Sequence, residues 1–101
     1  MNIIYDKKIA KKLEDEKTIR RFYGLMADKI IERLSLLIVA EKLSDIPNIP
    51  PTRRHKLVGN YSGCWGIEVT KNWRIVIMPL KTDGSPNEID EIKIVDIVDY
   101  H

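Results

Sequence analysis

Cysteine and histidine are scarce in this sequence: Cys64, His55 and His101 are all that its 101 residues contain. One cysteine excludes an internal disulfide, and the Cys/His spacings of structural zinc sites are absent. Long apolar runs are missing too. Stretches such as Ile75 to Met78 are far short of the roughly 20 residues that cross a bilayer, and no apolar stretch follows Met1 to serve as a secretory signal. The expectation is a soluble, cytoplasmic protein with no membrane partner. What is present is a 44% hydrophobic and 32% charged composition, which excludes a disordered chain. Its length is that of one domain, residues 1–101, burying roughly two-thirds of its unfolded surface. Such a fold is held by packing.

The formal net charge of +2 hides an asymmetry. Residues 1–43 carry ten basic and seven acidic side chains, 44–74 carry five and two, and 75–101 carry two and six. The middle segment concentrates its charge in Arg53, Arg54, His55 and Lys56, followed by Lys71 and Arg74. A compact basic cluster beside an acidic face suits a phosphate-bearing partner on one side and a basic one on the other. A solvated surface loop carries the same composition.

The apolar period changes once along the chain. Ile9, Ala10, Leu13, Ile19 and Phe22 are helically spaced, with a break near Asp15 to Thr18, where Thr18 is the expected cap of a renewed helix. Ala27, Ile30, Ile31, Leu34, Leu37 and Ile38 define one face of a long amphipathic helix ending near Leu43; Asp28, Lys29, Glu32 and Arg33 occupy the other. Pro47, Pro50 and Pro51 then force an extended connection. Beyond it the period is two: Trp65, Ile67 and Val69, then Trp73, Ile75 and Ile77, joined by a link short enough for a hairpin. Residues 92–98 read as a third strand, with 2–5 and 57–61 as short edge strands. Helices first and strands afterwards predict an α+β domain, two N-terminal helices packed on a mainly antiparallel twisted sheet.

The sequence ends on Asp99, Tyr100 and His101, three functional side chains directly after an apolar strand. Strand alternation would put Asp99 and His101 on one face and Tyr100 on the other; a frayed polar terminus is the competing reading. Two histidines, a tyrosine, a carboxylate and several cations are what metal-free RNA cleavage needs. One group removes the ribose 2′-hydroxyl proton, another protonates the departing 5′-oxygen, and fixed cations stabilise the phosphorane. Histidine, with an ordinary pKa of about 6.5, suits proton transfer near neutrality. A metal site of His55, Asp99 and His101 lacks any recognisable ligand spacing. Cys64, between Gly63 and Trp65, reads as a packed thiol rather than a nucleophile. Trp65 and Trp73 read as core side chains, with base stacking as the alternative.

The segment His55 to Val69 (HKLVGNYSGCWGIEV), then Asn72-Trp73-Arg74-Ile75-Val76, then Val98-Asp99-Tyr100-His101, resembles the HigB-type toxins, or plasmid maintenance killer proteins, of the RelE/ParE superfamily. Their usual line reads roughly H-x-L-K-G-D-R-x-G-x-W-S-I-x-V, then N-W-R-I, then D-Y-H. Leu34, Ala40-Glu41-Lys42-Leu43 and the proline-rich approach to His55 extend the resemblance over nearly the whole chain.

This resemblance implies a RelE-like fold and a bacterial type II toxin that enters the ribosomal A site and cleaves translated mRNA without a cofactor. It implies catalytic roles for His55, Asp99, Tyr100 and His101 and a phosphate contact for Arg74, and it fits RNA-facing roles for Arg53, Arg54, Lys56 and Lys71. The implied partners are mRNA, the ribosome and a cognate helix-turn-helix antitoxin that holds the toxin monomer in a hetero-oligomer. The chain departs from the family line at Val58-Gly59-Asn60-Tyr61, where Lys-Gly-Asp-Arg is usual, taking two cations out of the loop. The loop Lys81 to Glu91 is also longer than usual. ParE-like members, which inhibit DNA gyrase, have no need of His55 and the Asp-Tyr-His ending. A non-catalytic RNA- or protein-binding module would share the charge and the fold.

Overall fold

Two aspartates start the first two helices. In the computed structural model, which describes residues 1–100, the Asp6 carboxylate accepts the Lys8 amide at 3.1 Å and opens α1 (Lys7–Ala10), which runs on into a 3-10 turn, Lys11–Leu13. Asp15 opens α2 (Glu16–Tyr23) by accepting the Thr18 amide at 2.7 Å. The cap is therefore Asp15 and not Thr18. A carboxylate at that position satisfies an orphan amide and also complements the helix dipole.

The longer helix, α3 (Ala27–Val39), buries Ala27, Ile30, Leu34 and Leu37. It stops four residues earlier than expected, because Ala40 turns extended and the Asp45 carboxylate captures the amides of Glu41 and Lys42 at 2.9 and 3.2 Å. Two side chains on α3 reverse their expected sides. Arg33 is buried, since its Nε donates to the Glu68 carbonyl at 2.8 Å, whereas Ile38 is exposed.

Five strands form one mixed sheet in the order β1-β5-β4-β3-β2: β1 (Asn2–Tyr5), β2 (His55–Lys56), β3 (Trp65–Glu68), β4 (Trp73–Pro79) and β5 (Glu91–Asp99). Among the described residues only the β1–β5 pairing is parallel. The expected hairpin is β3–β4. The expected edge strand at 57–61 is displaced to His55–Lys56, because Gly59, at a φ of 70°, starts a 3-10 turn, Gly59–Tyr61. Gly readily takes that left-handed conformation.

Alternation sorts the sheet into two faces. Trp65, Ile67, Ile75, Ile77, Ile92, Ile94 and Ile97 meet α3 and α2 in the main core. Between β4 and β5 the register shifts, Val76 pairing with Asp96 but Ile77 with Ile94, so one extra residue, Val95, keeps Ile94 and Ile97 both in that core. The opposite face carries a smaller cluster of Leu57, Cys64 and Val76, against which Tyr61, Met78, Val98 and Tyr100 pack.

Candidate active site on the sheet face opposite the helices

His55 stands on β2 opposite Gly66, which in turn pairs with Val76, so its side chain belongs to the face away from the helices. A Cβ on Gly66 would lie 3.4 Å from His55 Cε1 and 2.8 Å from Leu57 Cδ2. The missing side chain thus seats the imidazole and Leu57 down on β3. His55 Nδ1 is 2.7 Å from the Arg53 carbonyl oxygen. A carbonyl only accepts, so Nδ1 carries the proton and, in the neutral ring, Nε2 holds the lone pair.

Tyr100 shares this face. It packs on the Leu57, Cys64 and Val76 cluster, its amide donates to the Asn72 carbonyl at 2.7 Å, and its hydroxyl meets the Val58 backbone. Val58, Asn60, Tyr61, Asp99 and Tyr100 line a depression of about 340 Å³. Asp99 ends β5 as the register partner of Trp73. His101 lies outside the described residues.

Arg74, paired across the sheet with Glu68 and Val98, also lies on this face. Its Nη1 turns onto the hairpin and donates to the carbonyls of Thr70, Lys71 and Trp73 at 3.0, 3.0 and 3.2 Å, while its Nε is buried with no hydrogen-bond partner among the described residues. The Lys71 side chain is exposed on the turn that its carbonyl helps to tie.

The basic cluster does not act as one patch. Lys56 pairs with Trp65, so both stand on the helix-covered side. The Lys56 ammonium lies 5.6 Å and the Arg54 guanidinium 5.2 Å from the Trp65 ring centroid, in cation–π range. Arg54 also donates from Nε to the Ile46 carbonyl at 2.7 Å, and burial lowers its pKa. Arg53 turns the other way, its Nε 3.2 Å from Glu68 Oε2. The site face therefore gathers His55, Arg53, Arg74 and Tyr100, with Asp99 in the adjoining depression, while Arg54 and Lys56 sit apart.

Glu68 was not among the residues singled out by the sequence. Its signal was the alternation Cys64, Gly66, Glu68, which puts a carboxylate on the same face as His55. Cys64 is buried and its thiol is pushed up in pKa by desolvation, as suits a packed residue. Among the described residues no three His, Cys, Asp or Glu side chains gather in a way that could hold a metal ion, and no helix is long and apolar enough to cross a membrane.

Residues 3–101 match the model of the HigB-like toxin family, described as the RelE-like toxin of type II toxin-antitoxin system HigB. Among solved structures, a YoeB/ParE toxin from Agrobacterium tumefaciens superposes with a TM-score of 0.60 at 15% identity, covering 100% of both chains. YafQ from E. coli strain BL21(DE3) gives 0.60 at 14% identity, covering 95% of this chain and 89% of its own. YoeB in a heterotetrameric YoeB-YefM toxin-antitoxin complex from Staphylococcus aureus gives 0.54 at 22% identity, covering 100% and 97%. No curated protein sequence gives a significant match. These likenesses establish the fold, and the family match across nearly the whole length establishes the rest: the chain belongs to the HigB-like family of RelE-like toxins of type II toxin-antitoxin systems.

Proposed function

We propose that this toxin is a ribosome-dependent mRNA endonuclease that works by metal-independent attack of a ribose 2′-hydroxyl on the adjacent phosphodiester. RelE-like toxins are typically endoribonucleases. The observation that carries the reading here is the contact between His55 Nδ1 and the Arg53 carbonyl at 2.7 Å. It leaves Nε2 of the neutral ring as the acceptor for the 2′-hydroxyl proton. The 2′-oxygen then bonds to phosphorus, the bond to the 5′-oxygen breaks, and that oxygen takes a proton from a second group. Asp99, Tyr100 and His101 supply the candidates for that second group. Arg53 and Arg74 stabilise the phosphorane, and Arg54, Lys56 and Lys71 contact the RNA backbone.

The proposed partners are mRNA and the ribosomal A site during cleavage, and a cognate helix-turn-helix antitoxin that holds the toxin in an inactive hetero-oligomer in the bacterial cytoplasm. The test is single-turnover cleavage of mRNA on a programmed ribosome. Wild type should cleave equally with and without 1,10-phenanthroline, which chelates transition metals but spares the magnesium the ribosome needs, and His55→Ala should be slower by about a hundred- to ten-thousand-fold. Full activity of His55→Ala, or loss of wild-type cleavage in 1,10-phenanthroline, would overturn the mechanism.

A further inference from the structure

We infer that Glu68 is a positioning residue for His55, acting through Arg53, an inference that rests on His55 being the proton acceptor proposed above. Arg53 has a φ of 44°, in the left-handed region that non-glycine residues rarely adopt. That turn aims its carbonyl at His55 Nδ1. A residue held in such a conformation needs surrounding contacts that fix it.

The loop itself supplies two of them, the Arg53 amide donating to the Ile49 carbonyl at 3.0 Å and the Arg54 amide to the Pro47 carbonyl at 3.1 Å; the others converge on Glu68. The Glu68 amide donates to the Thr52 carbonyl at 2.8 Å, which fixes the backbone directly before Arg53. The Glu68 carbonyl accepts from Nε of Arg33, which is 5% exposed on α3. Arg33 also pairs with the Glu32 carboxylate. The Glu68 carboxylate holds Arg53 Nε at 3.2 Å. The two partners differ in freedom: the Glu68 side chain is 20% exposed and that of Arg53 61%. Glu68 is therefore the fixed member, tied to sheet and helix at once, and Arg53 is the member it restrains. The path runs from the buried guanidinium of Arg33 through Glu68 and Arg53 to the imidazole. Glu68 thereby selects one tautomer of His55 without itself touching the reacting atoms.

An ordinary surface ion pair would have no effect on the tautomer, so the tautomer is the measurement. Long-range ¹H–¹⁵N NMR of the folded protein near pH 8 reads the two ring nitrogens of His55, with a His101→Gln variant to assign the signals. Wild type and Arg53→Lys, which keeps a cation for Glu68, should show His55 protonated at Nδ1. Glu68→Gln should show a mixture of tautomers. Arg53→Gly should do the same, because glycine accepts the turn but offers Glu68 nothing to hold. On the ribosome, Glu68→Gln should lower the cleavage rate by about tenfold, the scale of an outer-shell partner, with ribosome affinity little changed. A Glu68→Gln protein with the wild-type tautomer and a native melting curve would overturn the inference. So would an Arg53→Gly protein that keeps the tautomer, since the turn alone would then suffice. If wild type fails to cleave mRNA while the tautomer shifts as stated, the nuclease reading falls and the positioning path stands.

Discussion

Tyr100 and Val58 hold each other across 42 positions of sequence: the Val58 amide donates to the Tyr100 hydroxyl at 3.5 Å, and the hydroxyl donates to the Val58 carbonyl at 3.3 Å. Both contacts are long for an oxygen-centred hydrogen bond and both are exposed, so each is weak. Their effect is on geometry, since they close the loop after His55 against the end of the sheet.

Tyr100→Phe is therefore expected to leave global stability within about 1 kcal/mol of wild type, while the Val58 amide exchanges faster with solvent. Hydrogen exchange followed by NMR, beside a urea melt, checks both halves. Unchanged protection at Val58 would mean the hydroxyl does not restrain the loop.

Arg74 gives a second prediction. A guanidinium donating to the carbonyls of Thr70, Lys71 and Trp73 ties the β3–β4 turn, so its removal should be felt in stability as well as in RNA contact. Arg74→Ala is expected to cost about 1–2 kcal/mol, a discounted value for charged hydrogen bonds that are partly exposed. At about 4–8 °C per kcal/mol for a domain of this length, the thermal midpoint should fall measurably. Arg74→Lys keeps a cation with three donors on one nitrogen but carries it on a differently placed, more strongly hydrated head, and should recover only part of the loss. A melting curve for Arg74→Ala identical to wild type would leave the residue free for phosphate alone.

The hairpin was legible because Trp65, Ile67, Trp73, Ile75 and Ile77 alternate without interruption, and α3 because Ala27, Ile30, Leu34 and Leu37 repeat at the helical period. What escaped the sequence depends on pairing across distance. Arg33 reads as a solvent-facing cation until β3 delivers a carbonyl to its Nε. Arg53, Arg54, His55 and Lys56 read as one patch, yet Lys56 goes with Trp65 and His55 with Gly66, because adjacent strand positions face opposite ways. The bulge at Val95 is likewise hidden in Ile92 to Val98, where five of seven residues are apolar and both faces of the strand carry apolar side chains. Alternation with Cys64 and Gly66 gives only the face of Glu68; its three anchors come from residues 33, 52 and 53.

Acid should loosen α2 in a way that one aspartate controls. The Thr18 amide bonded to the Asp15 carboxylate holds its pKa below the ordinary carboxylate value. A depressed folded pKa means the stabilisation is complete above the unfolded value, about 4, and is lost as pH falls through the lower folded value. Asparagine caps nearly as well but does not titrate. The stability of wild type relative to Asp15→Asn should therefore shrink as pH drops from about 5 toward 2. Urea melts at several pH values test this, and a constant gap across that window would remove Asp15 from the acid response.

The last prediction separates chemistry from binding. Arg53 and Arg74 are held by Glu68 and by the hairpin turn, and Arg54 by the Ile46 carbonyl and the Trp65 ring. His101→Ala keeps every one of these side chains and acceptors, so ribosome affinity should be little changed. If His101 protonates the leaving 5′-oxygen, the cleavage step should slow by about a hundred- to ten-thousand-fold. Pairing it with His55→Ala sharpens the test, because proton-transfer groups that act as a unit are non-additive. The double variant should then cleave hardly more slowly than the slower single one. Rates for His101→Ala equal to wild type would exclude the terminal histidine from proton transfer and leave Asp99 or Tyr100 to supply the acid.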